Sequence, residues 1–144
     1  MQAQILAPGA ALILWSLVML IWTAATRFPA MAKTGMNANN VSVGGRGQNL
    51  DGVLPDSVQW KSHNYAHLME QPTIFYPTLV ILALMGPSAL DITFAWAYVA
   101  LRVIHSIWQA TVNRIPVRLL LFLLSTLCLG KLAIHAAMLT MFPV

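Results

Sequence analysis

Residues 5–25 read ILAPGAALILWSLVMLIWTAA, an apolar run that is long enough to cross a lipid bilayer. A transmembrane helix needs about 20 predominantly apolar residues. The run is followed by Arg27, and no basic residue precedes it. A secretory signal peptide begins with basic residues and has a shorter apolar core. We therefore interpret this segment as a helix that stays in the membrane.

The composition of the whole chain agrees with a membrane protein. Of its 144 residues 58% are hydrophobic and 8% are charged, whereas a soluble domain carries about 25% charged residues. The single cysteine, Cys128, excludes a disulfide framework and a paired-cysteine metal site. The net charge of +4 comes from residues at helix ends and inside apolar segments. We therefore expect no nucleic-acid partner.

Turns divide the chain into four apolar segments. A Gly- and Asn-rich loop follows the first segment, and the motifs Gly86-Pro87 and Asn113-Arg114-Ile115-Pro116 predict two tight turns. Short connections make the last three helices antiparallel neighbours. The sequence therefore predicts an all-α fold: one domain over residues 1–144, built as an integral membrane four-helix bundle. The predicted spans are residues 5–26, 62–84, 90–112 and 117–142, and the predicted cytoplasmic loop is residues 28–61.

Basic residues predict the orientation of the bundle. They lie in or beside the first and third connections, and the second turn contains none. Cytoplasmic loops carry an excess of Lys and Arg. We therefore expect these two connections to face the cytoplasm and both termini to face the opposite side. The residues concerned are Arg27, Lys33, Arg46, Lys61, Arg114 and Arg118.

Ionisable residues also occur inside the predicted spans, where they are costly and usually functional. At 100° per residue, one polar stripe on the second helix spans about 60° and one on the third about 80°. One interpretation is a structural ion pair between Glu70 and Arg102, with the histidines as hydrogen-bonded core residues. The stripes consist of His63, His67, Glu70 and the position of Ile74, and of Tyr98, Arg102, His105, Gln109 and Asn113.

Arg114 and Arg118 flank the start of the fourth helix, and no acidic residue is close to them in sequence. A guanidinium fork suits a carboxylate, which favours an anion site open to the cytoplasm. The alternative is that both side chains reach the membrane surface and set the topology. Lys131 and His135 lie further along the same helix, where they either reach the opposite surface or meet Asp91. The spacing of the histidines predicts no metal site.

Two sequence motifs resemble the MAPEG family, the membrane-associated proteins in eicosanoid and glutathione metabolism, and most closely its bacterial branch. The first is HNYAHLMEQPTIFYP, residues 63–77, with a glutamate before a Phe/Tyr-Pro segment. The second is Arg102-x-x-His105 followed by Arg114-x-Pro116-x-Arg118. The motif resemblance covers residues 60–120, and the topology of the whole chain agrees with it.

The resemblance implies a homotrimer in a bacterial inner membrane that binds glutathione between subunits and takes a hydrophobic substrate from the lipid. It implies that the protein is a glutathione-dependent transferase or peroxidase acting on hydrophobic electrophiles or lipid-derived substrates. Arg118 is the implied catalytic residue, which would stabilise the glutathione thiolate. The implied glutathione-binding residues are Arg27, His63, His67, Glu70, His105, Gln109 and Arg114.

Five positions depart from the pattern of the family. His63 and His67 stand where an arginine and an asparagine often occur. Gln109 and Phe122 stand where tyrosines occur, and Leu119 stands where one member has a serine. These departures leave a second hypothesis open, a non-catalytic lipid-binding or scaffold protein of the same fold. A third hypothesis is a proton or ion pathway through Glu70, Arg102 and the histidines.

Overall fold

The computed structural model describes residues 1–37 and 39–142, which form five α-helices and one short 3-10 helix. Helices α2 and α3 together form one span, so four segments are long and apolar enough to cross a membrane. The predicted all-α membrane four-helix bundle is confirmed. The helices are α1 (Gln2–Lys33), α2 (Asp56–Leu68), α3 (Pro72–Met85), α4 (Ala89–Thr111) and α5 (Ile115–Met141), and the 3-10 helix covers Gly47–Leu50.

Helix α1 buries one narrow stripe against the rest of the bundle. Ile5, Leu12 and Met19 recur every seven residues and are fully buried, which is the spacing of one helix face. Gly9 lies on the same stripe, and a Cβ atom at that position would come within 3.1 Å of Leu79 Cδ1. The missing side chain therefore lets α1 pack closely on α3.

Helix α1 is longer than predicted. It continues through Pro29 to Lys33. A proline removes a single backbone hydrogen bond, and a long helix can tolerate that loss. The helix ends where Gly35 adopts φ 75°, a left-handed conformation that glycine adopts without steric cost. The predicted loop, residues 28–61, is therefore shortened to residues 34–55.

The second span is broken, although the sequence pattern predicts one continuous helix. Pro72 has no N–H to donate to the carbonyl of Leu68 and its ring crowds that position, so α2 ends at Leu68 and α3 begins at Pro72. Tighter i, i+3 hydrogen bonds replace the α-helical pattern, from Glu70 N to the His67 carbonyl and from Thr73 N to the Glu70 carbonyl. Because of this break, the residues of the predicted polar stripe do not lie on one face of a single helix.

The two predicted turns are confirmed, and each depends on a left-handed residue. Gly86 has φ 97° after α3, and Asn113 has φ 55° between α4 and α5. Ser88 and Asp91 form a capping box at the start of α4, with Asp91 Oδ2 accepting from Ser88 N at 2.7 Å. The short turn at Asn113 places α4 and α5 side by side as antiparallel neighbours.

The outer surface of the bundle is apolar. Helix α5 exposes a nearly continuous run of large side chains, and such a surface is stable only against lipid or another subunit. With the four membrane-crossing segments, this surface identifies an integral membrane protein. The exposed residues on α5 include Leu119, Leu120, Leu123, Leu124, Leu127 and Ile134.

Candidate functional site

A pocket of about 200 Å³ opens where α2, α4 and α5 meet. Three of its side chains are basic, and they come from three different helices. We call this site the arginine pocket. It is lined by His67, His105, Ile115, Arg118, Leu119 and Phe122.

Arg102 lies beside the arginine pocket and is fully buried. Its Nη2 donates to His67 Nδ1 at 3.1 Å and to the His67 carbonyl at 3.2 Å. That carbonyl can accept it because the break before Pro72 ends the regular hydrogen bonds of α2. The guanidinium carbon is 5.9 Å from the centroid of the Phe122 ring. The position of Arg102 is therefore set by the interruption of the second span.

The tautomer of His67 follows from this contact. A guanidinium can only donate, so Nδ1 of His67 accepts and its Nε2 carries the proton. The rings of His67 and His105 are stacked, with centroids 4.9 Å apart and planes 20° apart. His105 is 2% exposed. The stacked imidazole rings of His67 and His105 therefore lie beside two guanidinium groups.

Among the described residues 1–37 and 39–142, Glu70 and Arg102 do not form an ion pair, so this prediction is wrong. Glu70 lies in the turn between α2 and α3, and its side chain is 68% exposed. Its ion-pair contact is His67 Nε2, at 3.9 Å from Glu70 Oε2, which is too long for a hydrogen bond. The helix break turns Glu70 outward, so the acid does not reach the buried guanidinium.

Arg118 is held in place by the turn before α5. Its Nη1 donates to Asn113 Oδ1 at 2.7 Å, and Asn113 can present that oxygen because it adopts the left-handed conformation at the turn. The other half of the guanidinium makes no hydrogen bond to the described residues. Arg118 is thus oriented towards the pocket and retains free donors.

Two other predicted residues lie outside the pocket lining. Gln109 is buried, and its Oε1 has no partner among the described atoms. Arg114 is exposed at the start of α5, and its backbone carbonyl accepts from Trp108 Nε1 at 3.2 Å. Of the predicted glutathione residues, the structure therefore brings His67, His105 and Arg118 together in one cavity.

Arg27 and His63 belong to a separate network that anchors the loop. Arg27 Nη2 donates to Ser62 Oγ at 2.5 Å and to Gln59 Oε1 at 3.3 Å. Gln59 Nε2 and His63 Nε2 both contact Asp51 Oδ1, at 2.5 and 3.0 Å. The hydrogen bonds from His63 and Gln59 hold the pKa of the Asp51 carboxyl below its usual value of 3.8. We call these residues the loop anchor.

A second charged group lies at the opposite end of α4. Asp91 is fully buried and accepts from Lys131 Nζ at 2.5 Å and from His135 Nδ1 at 2.9 Å. Ser88 Oγ donates to the same carboxylate at 2.7 Å. Of the two alternatives for Lys131 and His135, the contact with Asp91 is confirmed. We call these four residues the aspartate cluster.

The family resemblance singled out Leu119 and Phe122, but the sequence analysis did not identify Ile115 as part of the pocket wall. Ile115, Leu119 and Phe122 recur at positions i, i+4 and i+7 and turn one face of α5 into the pocket wall. This spacing is present in the sequence, but the apolar residues that face lipid on α5 have the same spacing. The pattern therefore does not distinguish a pocket wall from a lipid-facing surface. Among residues 1–37 and 39–142, no group of three His, Cys, Asp or Glu side chains is placed to hold a metal ion.

Comparison with known proteins identifies the family. The model of the MAPEG family matches residues 5–138 of the 144-residue chain. No curated protein and no solved structure matches the chain. The match includes every residue that lines the arginine pocket. The chain therefore belongs to the MAPEG family.

Proposed function

We propose that the arginine pocket binds glutathione and that the protein is a glutathione-dependent transferase or peroxidase for hydrophobic electrophiles. One observation carries this proposal. Arg102 is fully buried, and its Nε and Nη1 atoms have no partner among the described residues. Buried donors without acceptors are costly, so these two nitrogens support an anion-binding role for the pocket beside them. The glutathione association of the MAPEG family supports the choice of anion.

Arg118 is the residue that stabilises the thiolate in this mechanism. A free thiol has a pKa of about 8.5 and is mostly protonated at neutral pH, while the thiolate is the nucleophile. A guanidinium beside the sulfur favours the charged form, and each unit of pKa depression is worth about 1.4 kcal/mol. Asn113 fixes one nitrogen of Arg118, which leaves the remaining donors for the sulfur.

His67, His105 and Arg102 have positioning roles in the proposal. Glutathione carries two carboxylates and one ammonium group, so it needs donors at fixed places as well as an acceptor. We assign the carboxylates to Arg102 and to the imidazole N–H groups. The apolar wall of Ile115, Leu119 and Phe122 receives the hydrophobic co-substrate from the bilayer.

We also propose that the protein works as a homotrimer. The arginine pocket is open on one side, and a neighbouring subunit would close it and add Glu70 and Arg114, which are exposed in their own chain. Arg27 and His63 do not line the arginine pocket and belong to the loop anchor, so we assign them to the loop rather than to glutathione. In the predicted orientation the pocket faces the cytoplasm, where glutathione is abundant.

A non-catalytic lipid-binding protein is the second candidate, because Leu119 and Phe122 give the pocket wall no hydroxyl group to assist the thiol. Titration of the purified protein with glutathione separates the two. If the protein is an enzyme, we expect the absorbance of the glutathione thiolate at about 240 nm. We also expect turnover of a hydrophobic aryl halide or a lipid hydroperoxide. Binding without a thiolate signal would favour the non-catalytic candidate.

Arg118→Ala is the matched test of the proposed mechanism. We expect it to lower the thiolate signal at neutral pH by about tenfold, equivalent to about one pKa unit of the bound thiol. Lys33→Ala removes the same charge at an exposed position to which the proposal assigns no role in glutathione binding, and it should keep most of the signal. Equal loss in both variants would contradict a specific role for Arg118.

A further inference from the structure

A second cavity lies under the loop between α1 and α2. It has a volume of about 500 Å³, within the range of about 300–1,000 Å³ that is typical of small-molecule sites. It shares no lining residue with the arginine pocket. We call it the loop groove and define it by Arg27, Phe28, Met31, Met36, Arg46 and Leu50, with smaller polar residues completing the wall.

The charge of the loop groove is entirely positive. Among the residues that the structure describes, Arg27 and Arg46 are the ionisable lining residues of the groove, and no Asp or Glu lines it. The charge of Arg27 lowers the pKa of the Asp51 carboxyl slightly further. Asp51 does not line the groove, and its carboxylate contacts Gln59 and His63. A guanidinium recognises carboxylates and phosphates in a bidentate manner.

Arg27 has donors left over for a ligand. Its Nη2 is used by the loop anchor, whereas Nε is buried without a partner among the described residues. Its Nη1 lies against Gly47, where an added Cβ atom would be only 2.9 Å away. Because Gly47 also lines the groove, the guanidinium forms part of the groove floor.

The rest of the wall is apolar and lies at the end of a membrane-crossing helix. Phe28 and Met31 belong to the last part of α1, and the Phe28 side chain is 67% exposed. Met36 and Leu50 face the same cavity from the loop. An apolar wall next to the membrane surface suits an acyl chain that enters from the lipid.

We propose that the loop groove binds an anionic amphiphile with one acyl chain, such as an ionised fatty acid. The acyl chain lies along Phe28, Met31 and Leu50, and the acidic head group is held between Arg27 and Arg46. The binding site is distinct from the proposed glutathione site, and it requires no catalytic activity of the arginine pocket.

Photolabelling tests the proposal with the full-length protein in nanodiscs of zwitterionic phosphatidylcholine. The probe is a saturated fatty acid that carries a diazirine group, and peptide mass spectrometry locates the label. We expect labels in residues 28–50 that excess oleate removes and that the uncharged alcohol of the same chain length does not. Labels confined to the lipid-facing surfaces of α1 and α5, or equal competition by the alcohol, would overturn the proposal.

Arg46→Ala tests the head-group site, and Lys33→Ala is its matched control. Both side chains are exposed cations near the same loop, but only Arg46 lines the groove. We expect Arg46→Ala to weaken oleate competition by about tenfold, the effect of losing a charge-assisted contact, and Lys33→Ala to leave it unchanged. Equal effects of the two variants would show general attraction of anions to the surface and would overturn the site.

Two further measurements separate this proposal from its alternatives. Displacement of the probe by millimolar inorganic phosphate, with no displacement by oleate, would show a site for small anions and would overturn the amphiphile. The glutathione thiolate signal of Arg46→Ala should equal that of the unmodified protein. A fatty-acid site can therefore be confirmed or rejected whether or not glutathione binds.

Discussion

The two charged groups of this membrane protein lie at opposite ends of α4 and differ in how well they are satisfied. Asp91 and His105 are 14 residues apart, about 21 Å along a helix. In the aspartate cluster the buried acid accepts hydrogen bonds from Lys131, His135 and Ser88. Beside the arginine pocket, two nitrogens of the buried Arg102 guanidinium have no partner among the described residues.

This difference indicates a structural role for one group and a binding role for the other. Charges inside a membrane protein are tolerated when they are paired or when they face a polar cavity. The aspartate cluster meets the first condition within one chain, so it connects α4 to α5. The arginine pocket has surplus donors and an open cavity, so it meets the second. Three substitutions test this contrast, and a fourth tests the loop anchor.

The largest effect should come from Asp91→Asn. Removing one partner of a buried ion pair costs about 3–5 kcal/mol, and we expect about 2–3 kcal/mol here because the side chains of Lys131 and His135 are 32% and 30% exposed. The loss should appear as a lower Tm of the detergent-solubilised protein.

The control for this variant is Asp56→Asn, which removes an exposed acid at the start of α2. It should cost less than about 1 kcal/mol, the size of a helix-dipole contribution. A second test combines Asp91→Asn with Lys131→Met, which should recover part of the lost stability by removing the unpaired cation. If the two aspartate variants unfold alike, the aspartate cluster is not a structural connection.

Arg102→Met should leave stability almost unchanged and abolish ligand binding. The substitution loses two hydrogen bonds to His67, worth about 1 kcal/mol each, but it also removes buried donors whose desolvation costs about 1–3 kcal/mol each. We expect a net change within about 1 kcal/mol in the free energy of unfolding without ligand.

The same variant should reveal the ligand through thermal stabilisation. A ligand that binds only the folded state raises its stability, so glutathione should increase the Tm of the unmodified protein and leave that of Arg102→Met unchanged. Destabilisation of Arg102→Met as large as that of Asp91→Asn would mean that both charged groups are structural, and the contrast between them would fail.

The loop anchor should respond to acid in a defined direction. The pKa of Asp51 is depressed in the folded protein, so its contribution to stability is present above the unfolded value of about 3.9. It is lost as the pH falls through the lower folded value. We expect hydrogen exchange of the Gly47–Leu50 backbone to accelerate in Asp51→Asn at neutral pH. The difference from the unmodified protein should disappear as the pH falls through the lowered pKa of Asp51.

The control for Asp51→Asn is again Asp56→Asn, because His63 and Gln59 contact the carboxylate of Asp51 and not that of Asp56. Hydrogen exchange of its loop should equal that of the unmodified protein throughout. Unchanged exchange in Asp51→Asn at neutral pH would show that the loop is held by contacts other than the anchor.

The smallest effect should come from Leu119→Ser. Leu119 lines the arginine pocket, and a hydroxyl there can donate one hydrogen bond to a thiolate, worth about 0.5–1.5 kcal/mol. The bound thiolate fraction should rise by about threefold at neutral pH. Leu120→Ser is the control, because Leu120 is exposed to a similar degree and does not line the pocket. An equal gain in both variants would exclude a direct effect in the pocket.

Much of the architecture could be predicted from the sequence. Long apolar runs and Gly, Pro and Asn turns are local signals, so the four spans and both short turns were found at nearly the right positions. The local signals failed at two prolines. Pro29 allows α1 to continue, whereas Pro72 interrupts the second span, and the difference depends on which neighbours satisfy the freed backbone groups.

By itself, the sequence determined that basic and acidic side chains lie within the membrane-crossing helices. It also determined the end of each helix at which they lie. Only the tertiary structure decided their partners. Asp91 and His135 are 44 positions apart and Arg102 and His67 are 35 apart, so helix packing sets these contacts. Periodicity fixes the direction of a side chain on its own helix and says nothing about the group it meets. For that reason the sequence paired Arg102 with Glu70, whereas the break at Pro72 places His67 against it.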